Sequence, residues 1–322
     1  MIRLTVMSSL LQAVAIVAAG KFLFAIQDVI IKEMSGAYPV HQILTIRGLV
    51  AIPILLILIH FTRGLGSLRH HHPGLHLLRG TLMLAAFMSF YIALAGISLT
   101  TATALFFTAP FFITLLSIPL LGEQVGLRRF ISITIGFVGV LIVLRPDTES
   151  FNLFSLLPIV AAFFYACCQL MVRVARMTDP PAVMSLYASV AFVVLGSLTG
   201  LLLAGIDPAQ NADVSSQFLL RAWSMPDTFD LVLLAMTGLT SALGFMCSSN
   251  AYQREPASNI APFEYIMIVW VTLLSYLIWR EVPDLPTVAG IALIVGSGIY
   301  VLRREAKKES VKSIAYAGLT RR

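Results

Sequence analysis

The chain has 322 residues, 58% hydrophobic and 12% charged, with a mean hydropathy of +0.89. A soluble globular chain carries about 25% charged residues, so there is too little polar sequence to clothe a core of this size in water, and lipid is the solvent that fits. The net charge of +6 does not indicate nucleic acid, because Lys and Arg fall in short clusters between apolar runs and at the C-terminal end.

Arg3 precedes an apolar run that resembles a signal peptide, but no small-residue cleavage site follows before Lys21 and the run continues past it, which predicts a retained first helix. Crossing the hydrocarbon core takes about 20 mostly apolar residues. Ten stretches qualify: 11–33, 40–61, 76–97, 100–121, 127–145, 153–175, 182–204, 229–251, 257–279 and 285–302. Short connections rich in Gly, Pro or charge separate them, such as Gly36 to Pro39 and Asp179-Pro180-Pro181. Only 205–228 is long and polar enough for an extramembrane loop. Cys167, Cys168 and Cys247 lie within apolar runs and read as small buried hydrophobes, without a disulfide framework or metal spacing.

With the N-terminus in the cytoplasm, the inner side receives Arg3, Arg63, Arg69, Arg79, Arg128, Arg129, Arg173, Arg176, Arg254 and the tail from Arg303 to Arg322. The outer side receives Lys32, Arg145, Arg221 and Arg280. This bias places both termini in the cytoplasm.

Shifting the chain by about 158 residues superposes Thr114-Leu115-Leu116-Ser117 on Thr272-Leu273-Leu274-Ser275, Glu123 on Glu281, and Val143-Leu144-Arg145 on Val301-Leu302-Arg303. The expected fold is therefore an all-α membrane protein of ten transmembrane helices in a 5+5 inverted-repeat arrangement. The first repeat spans 10–146 and the second 150–305, followed by a basic cytoplasmic tail, 306–322. Five helices per half invert the second half relative to the first, as in many secondary transporters.

The stretch Ala104-Leu105-Phe106-Phe107-Thr108-Ala109-Pro110-Phe111, then Leu121-Gly122-Glu123 and Gly136-Phe137-Val138-Gly139-Val140-Leu141-Ile142, resembles the EamA repeat of the drug/metabolite transporter superfamily. So do Ala261-Pro262-Phe263-Glu264-Tyr265, Trp279-Arg280-Glu281 and Gly290-Ile291-Ala292-Leu293-Ile294. The resemblance covers about residues 10 to 305 and implies a central cavity enclosed by eight helices, with the fifth and tenth peripheral. Members of this superfamily move amino acids, nucleotide sugars, riboflavin, S-adenosylmethionine and other solutes by uptake, export or exchange.

An ionisable side chain at bilayer depth costs roughly 2.5–3.5 kcal/mol on insertion scales, so it faces a cavity or a partner. Asp28 and Arg47 lie at similar depth on neighbouring antiparallel helices and are expected to meet, with Lys32 one turn beyond Asp28 able to join them. Two readings stand, a structural ion pair and an outer gate or anion-binding Arg. Lys21 and Glu264 lie in the inner halves of the first and ninth helices, which allows a pair across the cavity; Lys21 can also snorkel to the interface. Pro262 and Pro110 are placed to open their helices locally. Gln27, Tyr91, Tyr165, Gln169, Asn250 and Tyr265 read singly as packing, and as a set they line a pocket for a flat or amphipathic solute. Glu123 and Glu281 read as loop anchors, and the run His70, His71, His72 with His76 as a solvated loop rather than a metal site. Ser132 with Gly136, and Ala292 with Gly296, suit close helix contact first and a homodimer surface second.

The function expected is secondary transport of a small metabolite across the cytoplasmic membrane by alternating access, with proton coupling a role open to Glu264. The alternatives are a membrane enzyme, for which no Ser–His or paired-Asp constellation lies at depth, and a non-transporting assembly factor. No motif calls for a cofactor or metal, and no Walker A motif offers ATP drive.

Overall fold

The computed structural model describes residues 2–62, 64–68, 73–96, 99–123, 125–144, 156–174, 180–206, 213–279, 285–286, 288–297 and 299–300. Their regular structure is all helical, without strands among the described residues. The helices are α1 (Ile2–Met34), α2 (Val40–Thr62), α3 (Pro73–Gly96), α4 (Leu99–Phe106), α5 (Ala109–Leu121), α6 (Leu127–Leu144), α7 (Leu157–Val174), α8 (Pro181–Leu203), α9 (Val214–Leu220), α10 (Thr228–Arg254), α11 (Ala257–Ile260) and α12 (Ile266–Trp279). A last one, α13, covers Val288–Ser297. Among the described residues, seven helical stretches are long and apolar enough to cross a membrane, and α5, α6 and α13 contain or form shorter apolar helices. His70, His71, His72, Arg145, Glu281 and the tail 306–322 lie outside the described residues.

The exterior is apolar, with Ile57, Phe61, Leu201, Leu202, Phe229 and Leu277 all exposed, while Arg47, Arg79, Lys21, Asp28 and Glu264 are buried. Such an inside-out distribution is stable only where lipid surrounds the helices and satisfies no polar group.

Local chemistry sets the ends of several elements. Pro180 and Pro181 open α8, where a missing N–H costs nothing. Asp227 and Asp213 cap α10 and α9 by accepting the N–H groups of Asp230 and Ser216, at 2.8 and 3.0 Å. Gly122, with φ of 64°, ends α5 in the left-handed region that glycine tolerates. That turn aims Glu123 at the start of α11, where it accepts the Ala257 N–H at 2.9 Å. Glu123 is thus a loop anchor that ties the two halves of the chain together.

Two apolar stretches are broken rather than continuous. The stretch expected at 100–121 divides into α4 and α5 across Phe107 and Thr108, just before Ala109-Pro110-Phe111. The stretch at 257–279 divides into α11, a 3-10 turn over Ala261–Tyr265, and α12. Proline removes an N–H donor and crowds the preceding turn, which accounts for both breaks falling at an Ala-Pro-Phe sequence.

The packing has a regular pattern. α1 lies along α10 as α7 lies along α3; α2 meets α10 as α8 meets α3; α1 meets α12 as α7 meets α5; and α2 pairs with α8. α6 and α13 meet where a side chain on Gly139 would strike the Gly290 carbonyl at 2.7 Å. Ser132 and Gly136 are therefore buried by contacts inside the chain, whereas Ala292 remains exposed beside a groove.

Candidate solute-binding site

Lys21 and Asp28 project from α1 seven residues apart, about 10 Å along the axis. Between them lies a cavity lined by both, by Thr103 and Met267, and by the rings of Phe24, Phe87, Phe90, Phe106 and Tyr165. Its free volume is about 50 Å³. A ligand pocket usually spans about 300–1,000 Å³, so the cavity must widen to admit a metabolite.

At one end, Lys21 forms an ion pair with Glu264. Lys21 Nζ also donates to the Tyr165 hydroxyl at 2.9 Å and lies 4.9 Å from the centre of that ring. Tyr165 donates to the Glu264 carboxylate at 3.1 Å, and Tyr252 donates to it at 2.9 Å. Glu264 belongs to the 3-10 turn containing Pro262, so the proline break sets its position. The turn also brings Tyr265 against Phe107, with ring centres 5.5 Å apart, and against Gly136, where a side chain would strike its ring at 2.7 Å. Tyr265 therefore faces α6 rather than the cavity.

At the other end, Gln27 Nε2 donates to the Tyr91 hydroxyl at 2.8 Å, and Tyr91 donates to Asp28 at 2.9 Å. The expected direct contact of Asp28 with Arg47 is absent: no nitrogen of Arg47 has a hydrogen-bond partner among the described residues. Its guanidinium lies instead among three rings, 4.4 Å from the centres of Phe87 and Phe192 and 5.6 Å from Phe245. Aromatic faces attract the cation where hydrocarbon would not, and the Tyr91 hydroxyl bonds Asp28 Oδ1. Lys32 does not join either group; it donates to the Leu94 carbonyl at 2.7 Å.

Gln169 bonds Ser248 at 3.0 Å, a link from α7 to α10 that parallels the Asp28–Tyr91 link from α1 to α3. Asn250 stands apart, holding Arg254 one turn along α10, because it lies on a half-buried face. Pro110 is buried at the start of α5 and does not line the cavity.

Several residues escaped the sequence reading. Tyr252 and the rings Phe24, Phe87, Phe90 and Phe106 are ordinary apolar or aromatic residues in apolar helices, and nothing in their spacing marks the inward face. Arg79, counted among the inner-side cations at the start of the stretch 76–97, is buried in α3 and donates to the Met184 carbonyl at 2.7 Å. His76, one turn earlier, is likewise buried and stacks on Tyr187 with ring centres 4.7 Å apart, which corrects its reading as a solvated loop residue. Both lie inside α3 because that helix starts at Pro73.

This arrangement of apolar helices around a closed aromatic cavity with buried charges at its ends fits a membrane carrier. The profile of the EamA-like transporter family matches residues 11–145 and again 153–303. A riboflavin transporter of Vibrio cholerae is 34% identical over 263 residues, covering 80% of this chain and 82% of its own. An S-adenosylmethionine uptake transporter of Rickettsia felis is 27% identical over 259 residues, covering 80% and 82%. The pseudopaline exporter CntI of Pseudomonas aeruginosa is 26% identical over 299 residues, covering 92% and 98%. A crystal structure of a protein superposes with a TM-score of 0.72 at 18% identity, over 92% of this chain and 98% of the other, and shares the fold. The chain belongs to the EamA-like transporter family of the drug/metabolite transporter superfamily, and is a multi-pass membrane transporter of small solutes.

Proposed function

We propose that the protein carries a flat, partly aromatic metabolite across the cytoplasmic membrane by alternating access, with the solute lodged between the Lys21 and Asp28 ends of the cavity. The observation that carries this reading is the cavity itself: five aromatic rings for a planar body, closed by a polar cluster at each end. Relatives named for riboflavin and S-adenosylmethionine transport support a heterocyclic cargo. The reciprocal helix pairings support ten helices in two inverted halves, 10–146 and 150–305, rocking about the cavity. Both termini lie in the cytoplasm on this reading, and the exposed Ala292 and Gly296 face of α13 leaves room for a second copy.

Proton coupling belongs to Asp28 more than to Glu264. Glu264 is bound by Lys21, Tyr165 and Tyr252, whereas Asp28 lines the cavity and accepts from the Tyr91 hydroxyl. Proteoliposomes supplied with labelled riboflavin or S-adenosylmethionine test the reading. Saturable uptake is expected, with Asp28→Asn retaining exchange but losing accumulation driven by a pH gradient. Unsaturable or absent flux of both solutes, or full driven accumulation in Asp28→Asn, contradicts it.

A further inference from the structure

The Arg47 guanidinium is fully buried, and Nε, Nη1 and Nη2 all lack a hydrogen-bond partner among the described residues. Three aromatic faces surround it, and a ring face attracts the positive charge without supplying the in-plane acceptors that five N–H donors require. Arg79, equally buried, is served differently, with a carbonyl and a serine hydroxyl as acceptors. A leucine or methionine would fill the Arg47 cage without leaving stranded donors. Phe87 belongs at once to that cage and to the cavity wall, so one ring separates the guanidinium from the solute space. Asp28 lines the same cavity but is engaged by Tyr91.

From this juxtaposition we infer that Arg47 is the docking point for a carboxylate on the transported solute, reached when the Phe87 ring turns aside. A carboxylate is planar and presents two acceptors to the fork of N–H donors, a match that a lysine ammonium does not reproduce. The bound oxyanion supplies the in-plane acceptors that the three rings lack, while at rest the cation is held by those ring faces with the Tyr91 hydroxyl and the Asp28 carboxylate nearby. The inference rests on the cavity being the solute path.

The test uses the full-length protein in detergent with two probes of like shape, benzoate and benzamide, their affinities read from ligand-induced shifts in melting temperature. Benzoate is expected to bind wild type about tenfold more tightly than benzamide. Arg47→Gln should bind the two alike, because it removes the charge and the fork of donors that favour a carboxylate. Arg47→Lys keeps the charge without the fork and should retain only part of the preference. Wild type binding benzoate no better than benzamide, or a preference that survives in Arg47→Gln, overturns the inference. Should Arg47→Gln not fold, an undiminished preference in Arg47→Lys overturns it equally. Flux of riboflavin and of S-adenosylmethionine in proteoliposomes, measured in parallel, separates the two claims. Flux without benzoate preference removes the Arg47 assignment alone, and benzoate preference without any flux removes the carrier reading alone.

Discussion

Glu264 shows how the buried charges are accommodated at the scale of single residues. Its carboxylate takes Lys21 as counter-charge and two tyrosine hydroxyls as donors, all within the fold's interior. Removing one partner of such a pair leaves the other uncompensated, at about 3–5 kcal/mol, whereas replacing both with apolar groups is close to neutral. Glu264→Ala should therefore lower the melting temperature sharply in detergent, and Lys21→Met with Glu264→Met should restore most of the loss; a single variant as stable as wild type contradicts the pairing. Matched depth in the first and ninth helices allowed this pair but left snorkelling of Lys21 open, because sequence does not show which helices touch. The same reasoning misjudged Asp28 and Arg47, because depth alone does not reveal that Tyr91 claims the carboxylate and that aromatic rings enclose the guanidinium. Asn250 failed for a related reason: its polarity was legible, but the face of α10 it occupies was not.

At the scale of elements, the apolar stretches were legible because lipid fixes both their length and their composition. What length could not reveal was the interruption of two of them. The Ala-Pro-Phe sequences at Pro110 and Pro262 divide their helices, and the second break sets Glu264 beside Lys21. The helix α9 was read only as loop, since seven residues carry too little periodicity; it is fixed by the Asp213 cap and by the burial of Phe218. Close approach between helices is a second feature of this scale. A side chain added at Gly80 of α3 would meet Ala191 of α8 at 2.5 Å. Gly80→Ala should cost about 1–3 kcal/mol through overpacking, Ala191→Gly should relieve it in the double variant, and Gly36→Ala, with open space around it, should change little. Equal melting temperatures for Gly80→Ala and wild type contradict the contact.

For the whole molecule, the repeated pairing of helices follows from a sequence that repeats. The Thr-Leu-Leu-Ser and Glu matches at a shift of about 158 residues anticipated a duplicated chain, and the family profile matches it twice. Orientation rests on the distribution of Lys and Arg alone. With Met225 exposed in the segment before α10, Met225→Cys should react with an impermeant thiol reagent outside intact cells, and Ser310→Cys should react only after permeabilisation. The reverse pattern contradicts the orientation.

The central claim is that one cavity serves both sides of the membrane in turn. Ala86 lines that cavity and is buried, so Ala86→Cys, in a chain with its three native cysteines replaced, reports on access directly. Labelling by an impermeant thiol reagent is predicted in both inside-out and right-side-out vesicles, slowed in both by the transported solute. Labelling from one face alone, unaffected by solute, would contradict the account.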